Sequence, residues 1–278
     1  MMTRSRPEGL PDFERPPLDE TILSIQFARL PVKNIHVGLL WQKFGDRYPQ
    51  VEEQSPLPAV FETFGVRRIH ESQELNITLG DSTVRYWFIS ADQRQLLQIQ
   101  PDRLIHNWRQ QQPEGEYPRY EVLRERFQTE VDEVAAFFLA HSLGVIQCNQ
   151  CEVTYVNAIS GVDGRDPNED LETIFTFWSE RYSDDYITHI ERGRFTFTFL
   201  MGSSDAPKGR IHVSLLPAVR TVDSTPAVRL SITARGRPEE ESIESSFRWM
   251  DEGRAAVVKT FASITTKKMH TIWGRKDI

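Results

Sequence analysis

Cys148 and Cys151, with two residues between them in Cys–Asn–Gln–Cys, are the first side chains in this chain whose spacing suggests chemistry. A redox pair of this kind works at the start of a helix, where unpaired amides and the dipole lower the first thiol's pKa. Here the pair opens CEVTYVNAI, which reads as a strand. A zinc half-site needs a second ligand pair, and no Cys pair or finger-spaced His follows. The pair therefore reads as two small residues at a strand start, and no metal is expected. The histidines, at positions 36, 70, 106, 141, 189, 212 and 270, never form the His–Glu–x–x–His pattern. Gly161–Val162–Asp163–Gly164 lacks the Lys–Ser/Thr of a phosphate loop, and there is no Gly–x–Ser–x–Gly elbow. The carboxylate pairs Glu52/Glu53, Asp184/Asp185 and Glu239–Glu241 are sequence neighbours. Neighbours on a strand face opposite ways, so they read as solvated charge. No catalytic residue and no cofactor is assigned.

Three groups are more suggestive as binding surfaces. In Arg103–Leu104–Ile105–His106–Asn107–Trp108–Arg109 the alternation puts Arg103, Asn107 and Arg109 on one face, and Tyr117 follows shortly after. Arg with Asn on a strand face can bind carboxylate or phosphate through charge-assisted hydrogen bonds. Internal pairing with Glu121 or Glu125 is the alternative. The second group is the outward face of three later strands, which includes Arg194, His212, Arg229, Thr233 and Arg235 with no acid among them. Such a face suits an acidic protein surface, an internal contact or a phosphate backbone. The third is the basic C-terminal end, where His270 and Trp273 are candidate partner contacts.

Composition narrows the field. The chain has 278 residues, 33 Lys plus Arg against 40 Asp plus Glu, and a net charge of −7. Hydrophobic residues make up 39%, enough for real cores, so wholesale disorder is excluded. The acidic balance argues against a protein that coats nucleic acid, although a local basic face survives it. No apolar run approaches a membrane span, and no apolar run follows the basic start. A cytoplasmic location, with no membrane partner, is the expectation.

The elements that would position these residues fall into two similar sets. Residues 1–20 contain Pro7, Pro11, Pro16 and Pro17 and read as an extended arm, pinned by Leu10, Phe13 and Leu18. TILSIQFARL alternates as a strand with one wet face. Asn34 is placed to cap a helix over 35–48, and VEEQSPLPAVFETF reads as a loop becoming an edge strand near Val60. ELNITL, TVRYWFIS, RQLLQIQ and RLIHNWR form a meander. Tyr120, Leu123, Phe127, Val131, Val134 and Phe138 then make one helical stripe ending near Gly144.

The second half begins with CEVTYVNAI. Asp166–Pro167–Asn168–Glu169 reads as a helix start leading to Leu171, Phe175 and Trp178. RFTFTFL, GRIHVSLL and AVRLSITAR are strands, and the last stripe runs through Ile243, Phe247, Met250, Val257, Phe261 and Ile264. Gly253 in that stripe marks close packing or a break. The expected class is α+β, with subdomains at 21–144 and 145–278, each an antiparallel sheet covered by a long helix in the helix-grip or TATA-binding-protein-like manner. A single sheet fused from both halves is the rival.

LPDFERPPLDETILSIQF, the prolines of VEEQSPLP, QPDRLIHNWR with YPRYE, and WMDEGRAAVVKTFASITTKKMHTIWGR together resemble a sporadically distributed bacterial protein family without assigned activity. The matches run from residue 10 to residue 275. The resemblance implies no catalytic residue, cofactor or substrate. Gly253–Arg254 stands where similar proteins often show an acidic or amide residue beside His. The patchy distribution implies accessory genes, with defence or immunity as one setting. Two functional classes follow. One is a non-catalytic protein-binding protein, with dimerisation as one version. The other is a protein, enzymatic or not, that handles nucleic acid or a small anionic ligand.

Overall fold

Leu23, Ile25 and Phe27 point to one side of the first strand, and the same alternation in eight further strands builds a single antiparallel sheet. The computed structural model describes residues 9–65, 83–111, 117–180, 186–187, 190–220 and 224–276. In chain order the elements are β1 (Leu18–Phe27), α1 (Asn34–Phe44), β2 (Gln50–Gln54), β3 (Arg85–Ile89), β4 (Gln95–Gln100), β5 (Arg103–Arg109) and α2 (Tyr120–Ala140). There follow β6 (Cys148–Ser160), α3 (Leu171–Ile174), β7 (Phe195–Gly202), β8 (Pro207–Val219), β9 (Pro226–Gly236), α4 (Ile243–Ile264) and α5 (Lys267–Ile272).

Across the described sheet the strands lie in the order β2-β3-β4-β5-β1-β6-β9-β8-β7. The α+β expectation holds, in its fused form: β1 pairs antiparallel with β6 from Leu18↔Asn157 to Phe27↔Cys148 and joins the two halves. Neither half therefore ends in an open edge at the seam, where an unpaired row of amides would cost free energy. In each half the last strand (β5 or β9) returns beside the first.

The helices cover one face. Tyr120, Leu123, Phe127, Val131, Val134 and Phe138 of α2 are all buried, as their spacing predicts. Helix α4 lies on β6 and β9, and Phe127 meets Phe247 edge to face at 5.6 Å. Gly253 does not break α4. A Cβ there would lie 3.0 Å from the Trp249 ring and 3.5 Å from the Ala234 methyl, so the glycine lets helix and strand approach closely. Residues 9–17 also pack as expected. Phe13 is buried against Phe261 at 5.4 Å and Trp273 at 6.2 Å, and the Glu14 and Arg15 amides donate to the Gly274 and Trp273 carbonyls at 3.0 Å.

Four local expectations need correction. Helix α1 ends at Phe44, and its cap position is Lys33 rather than Asn34. The strand of the Pro-rich stretch is β2, before the prolines and not near Val60. Asp166 caps a turn instead of a long helix, accepting from the Asn168 amide at 2.8 Å, and α3 has only four residues. Beyond α3, Phe175 bridges to Thr265 in extended form, because its ring is buried in the core at that point. The ELNITL strand lies outside the described residues. No helix among the described residues is long and apolar enough to cross a membrane.

Candidate binding surfaces

The face of the sheet opposite the described helices carries the predicted Arg/Asn row, and it is not wet. Residues 55–64 cross it as a transverse strap. Arg85 donates to the Ser55 carbonyl at 3.1 Å from β3. Gln100 on β4 clamps Leu57 through both amide atoms at 2.9 Å. Arg103 on β5 donates to the Pro58 carbonyl at 2.9 Å. Gln26 on β1 clamps Val60 at 2.9 and 3.2 Å. Gln150 on β6 accepts from the Glu62 amide at 3.4 Å.

The Glu62 carboxylate then meets Arg235 at 3.6 Å on β9, and His212 at 2.7 Å and Arg210 on β8. These anchors follow the spatial order of the strands. Seven neighbouring strands span about 29 Å, and eight extended residues reach about 26 Å, so long side chains close the gap. Pro56 and Pro58 favour that extended path. The wet face expected for β1 is thus covered: Ser24 and Gln26 are buried.

This placement accounts for most of the predicted residues. Asn107 lies between Gln98, which donates to it at 2.6 Å, and Glu20, to which it donates at 2.8 Å. Arg109 donates to the same Glu20 oxygen at 3.1 Å and stacks over Trp87. The row is internally paired, through Glu20 rather than Glu121 or Glu125. His212 and Arg235 hold Glu62, and Arg235 also donates to Glu152 at 2.7 Å. Thr233 bonds Thr154 at 2.8 Å. The acidic counterpart of the basic face is the chain's own strap. Arg229 and Arg194 remain exposed.

Burial raises the Glu62 carboxyl's pKa, but hydrogen bonds from His212 and Arg210, with the Arg235 charge, outweigh it and leave the pKa below its ordinary value. The group therefore stays an anion, suited to holding the strap.

Tyr117 does not join the Arg/Asn row. It lies on the opposite, helix-covered face, with its hydroxyl 3.1 Å from that of Tyr155 and its ring 5.1 Å from Trp108. Burial drives both phenol pKa values up, most strongly for Tyr117, so they act as neutral hydrogen-bonding groups and not as bases. His270 and Trp273 are buried too. His270 bonds Thr265 at 2.9 Å, and Trp273 stacks near Phe261 at 5.1 Å. Their partner is the chain's own segment around Phe13, because α5 folds back onto it.

Cys148 and Cys151 are free and buried. Burial pushes the Cys148 thiol up to about 11 and that of Cys151 higher still. Neither is a thiolate at neutral pH. Among the described residues no group of three or more His, Cys, Asp and Glu is arranged to hold a metal.

Two features escaped sequence reading. One is a buried polar cluster around His106 on β5 and Glu130 on α2: His106 Nδ1 lies 2.8 Å from Glu130, which also accepts from Tyr48 beyond α1, while His106 Nε2 lies 2.8 Å from Gln95 on β4. His106 and Glu130 are wholly buried. The alternation places His106 on the face opposite Arg103 and Asn107, but its partner sits 24 residues away on a helix.

The other is the difference between the two edges of the described sheet. Edge strand β2 carries Glu52 and Glu53 and runs into two prolines. Edge strand β7 is FTFTFLMG, without charge or proline, and its Phe row is only partly covered. Phe177 is 37% exposed, Phe199 44% and Leu200 50%. Phe177 lies 4.9 Å from Phe197, extending the aromatic patch. No known family model matches the chain, and no curated protein matches it.

Proposed function

We propose that the chain is a non-catalytic binding protein that takes up a partner's extended segment along β7. One observation carries this reading: β7 is an uncharged, aromatic edge strand, whereas β2 is guarded by charge and proline. Proteins that must not pair block their edges in the way β2 does. An open edge offers backbone hydrogen bonds for affinity and alternate side chains for specificity. The buried cysteines and the neutral, buried tyrosines favour binding over catalysis. The same reading treats residues 21–144 and 145–278 as two similar helix-grip subdomains, with β7 the free end of the second. The accessory, defence-related setting that the family resemblance implies suits such a protein.

The segment that fits β7 alternates apolar and small polar residues. A second copy supplies it. Antiparallel pairing about Thr198 sets Phe197 against Phe199 of the other copy and Arg194 against Gly202, keeping the two Arg194 charges about 27 Å apart. Like charges therefore never face each other. Light scattering on eluting protein should give a dimer for wild type and a monomer for Phe199→Lys, which places a charge on the shared edge. A monomeric wild type at the highest concentration reached, or a dimer unaffected by the substitution, would overturn the reading.

A further inference from the structure

The seam between the halves contains a site on the helix side, apart from both surfaces above. A cavity of about 50 Å³ lies between the sheet centre, the start of α2, the middle of α4 and the arm around Pro11–Pro16. Its walls are largely aromatic, with Tyr117, Tyr120, Tyr155 and Phe261 among them. Arg254 lines it from α4 while only 4% exposed, and its Nε has no hydrogen-bond partner. The rest of that guanidinium lies 3.3 Å from Glu121 and over the Tyr120 ring.

Arg119 also lines the cavity, 3.1 Å from Asp12. It stands at the cap position of the 21-residue α2 with φ at 71°, and no side chain caps that helix start. A non-glycine residue held in that backbone region is strained. The charged lining residues are Arg119 and Arg254 against Asp12, two positive minus one negative, or +1. The start of a long helix adds a positive dipole end. Glu121 opposes an anion, but it lies against Arg254 and does not line the cavity.

We infer that this cavity binds a small organic carboxylate. One carboxylate oxygen accepts from Arg254 Nε, the uncapped turn of α2 supports the charge, and the aromatic walls take the apolar end. The volume limits the ligand to a few heavy atoms, and the arm closes over it. Leaving a buried guanidinium nitrogen unpaired is costly, so such a ligand satisfies a donor that the fold leaves open.

The probe is acetate. Thermal unfolding of the full chain in sodium acetate and in sodium chloride, at equal ionic strength and pH, should show a saturating rise in Tm with acetate alone, since a ligand that binds only the folded state stabilises it. The rise should vanish in Arg254→Met and in Val258→Phe, which fills the cavity from α4 and leaves the arginine in place. If Arg254→Met fails to fold, Val258→Phe decides. Equal Tm in the two salts would overturn the inference, with a single ordered water then the natural occupant. So would an acetate effect that persists in Val258→Phe. The readout does not depend on association through β7, so the two proposals stand or fall separately.

Discussion

Glu62 fixes the strap because it is an anion whose partners, His212, Arg210 and Arg235, come from two strands of the other half. Its pKa is lowered on folding, so the stability it contributes is present above the ordinary value of 4.5 and lost as pH falls through the lowered folded value. Glu62→Gln should cost about 1.5–3 kcal/mol near neutral pH, the range for hydrogen bonds to charged groups. Urea midpoints of wild type and variant should converge in acid; a constant gap down to low pH would contradict the assignment. The buried His106–Glu130 pair predicts a larger effect. Removing one partner strands the other, so His106→Leu should lose about 3–5 kcal/mol. Cys148 and Cys151 should resist alkylation in the native protein and react only in denaturant, as mass spectrometry of labelled protein would show.

At the scale of elements, Phe261 on α4 links three pieces: the helix, the arm through Phe13 and α5 through Trp273. Phe261→Ala should cost about 3–5 kcal/mol, and limited proteolysis should then cut within residues 9–17. An unchanged denaturant midpoint would reject this role. The stripes of α2 and α4 were legible because a helix that buries one face repeats its apolar residues every three to four positions. The strap was not. Its hold depends on glutamines at positions 26, 100 and 150, which sequence alone reads as ordinary polar residues on an outward face. The helix expected after Asp166 failed for a related reason: burying Phe175 beside Thr265 prevails over a favourable capping sequence.

For the whole molecule, the β1–β6 seam, the strap and the contacts of Arg124 with Asp251 and Arg254 with Glu121 all join the halves. The chain should therefore unfold in a single cooperative transition, with fluorescence and circular dichroism coinciding. Residues 145–278 expressed alone should aggregate, because they would expose β6 as a long unpaired edge. Two separate calorimetric transitions would contradict this coupling.

The sequence by itself determined the α+β class, most strand and helix positions, the inward and outward sides of β1, β5, β8 and β9, and the docking of Leu10, Phe13 and Leu18. All of these follow from local periodicity and from proline. The tertiary structure decided which outward residues stay free. Arg103, Asn107 and Arg109 were correctly placed on one face, yet their neighbours Glu20, Gln26 and Gln98 lie up to 89 residues away along the chain. The same long-range packing buried His270 and Trp273, sent Tyr117 to the opposite face and put β7 at one edge of the described sheet. Periodicity reports the side to which a residue points; what covers that side depends on contacts between segments distant in sequence, and those exist only once the sheet has closed.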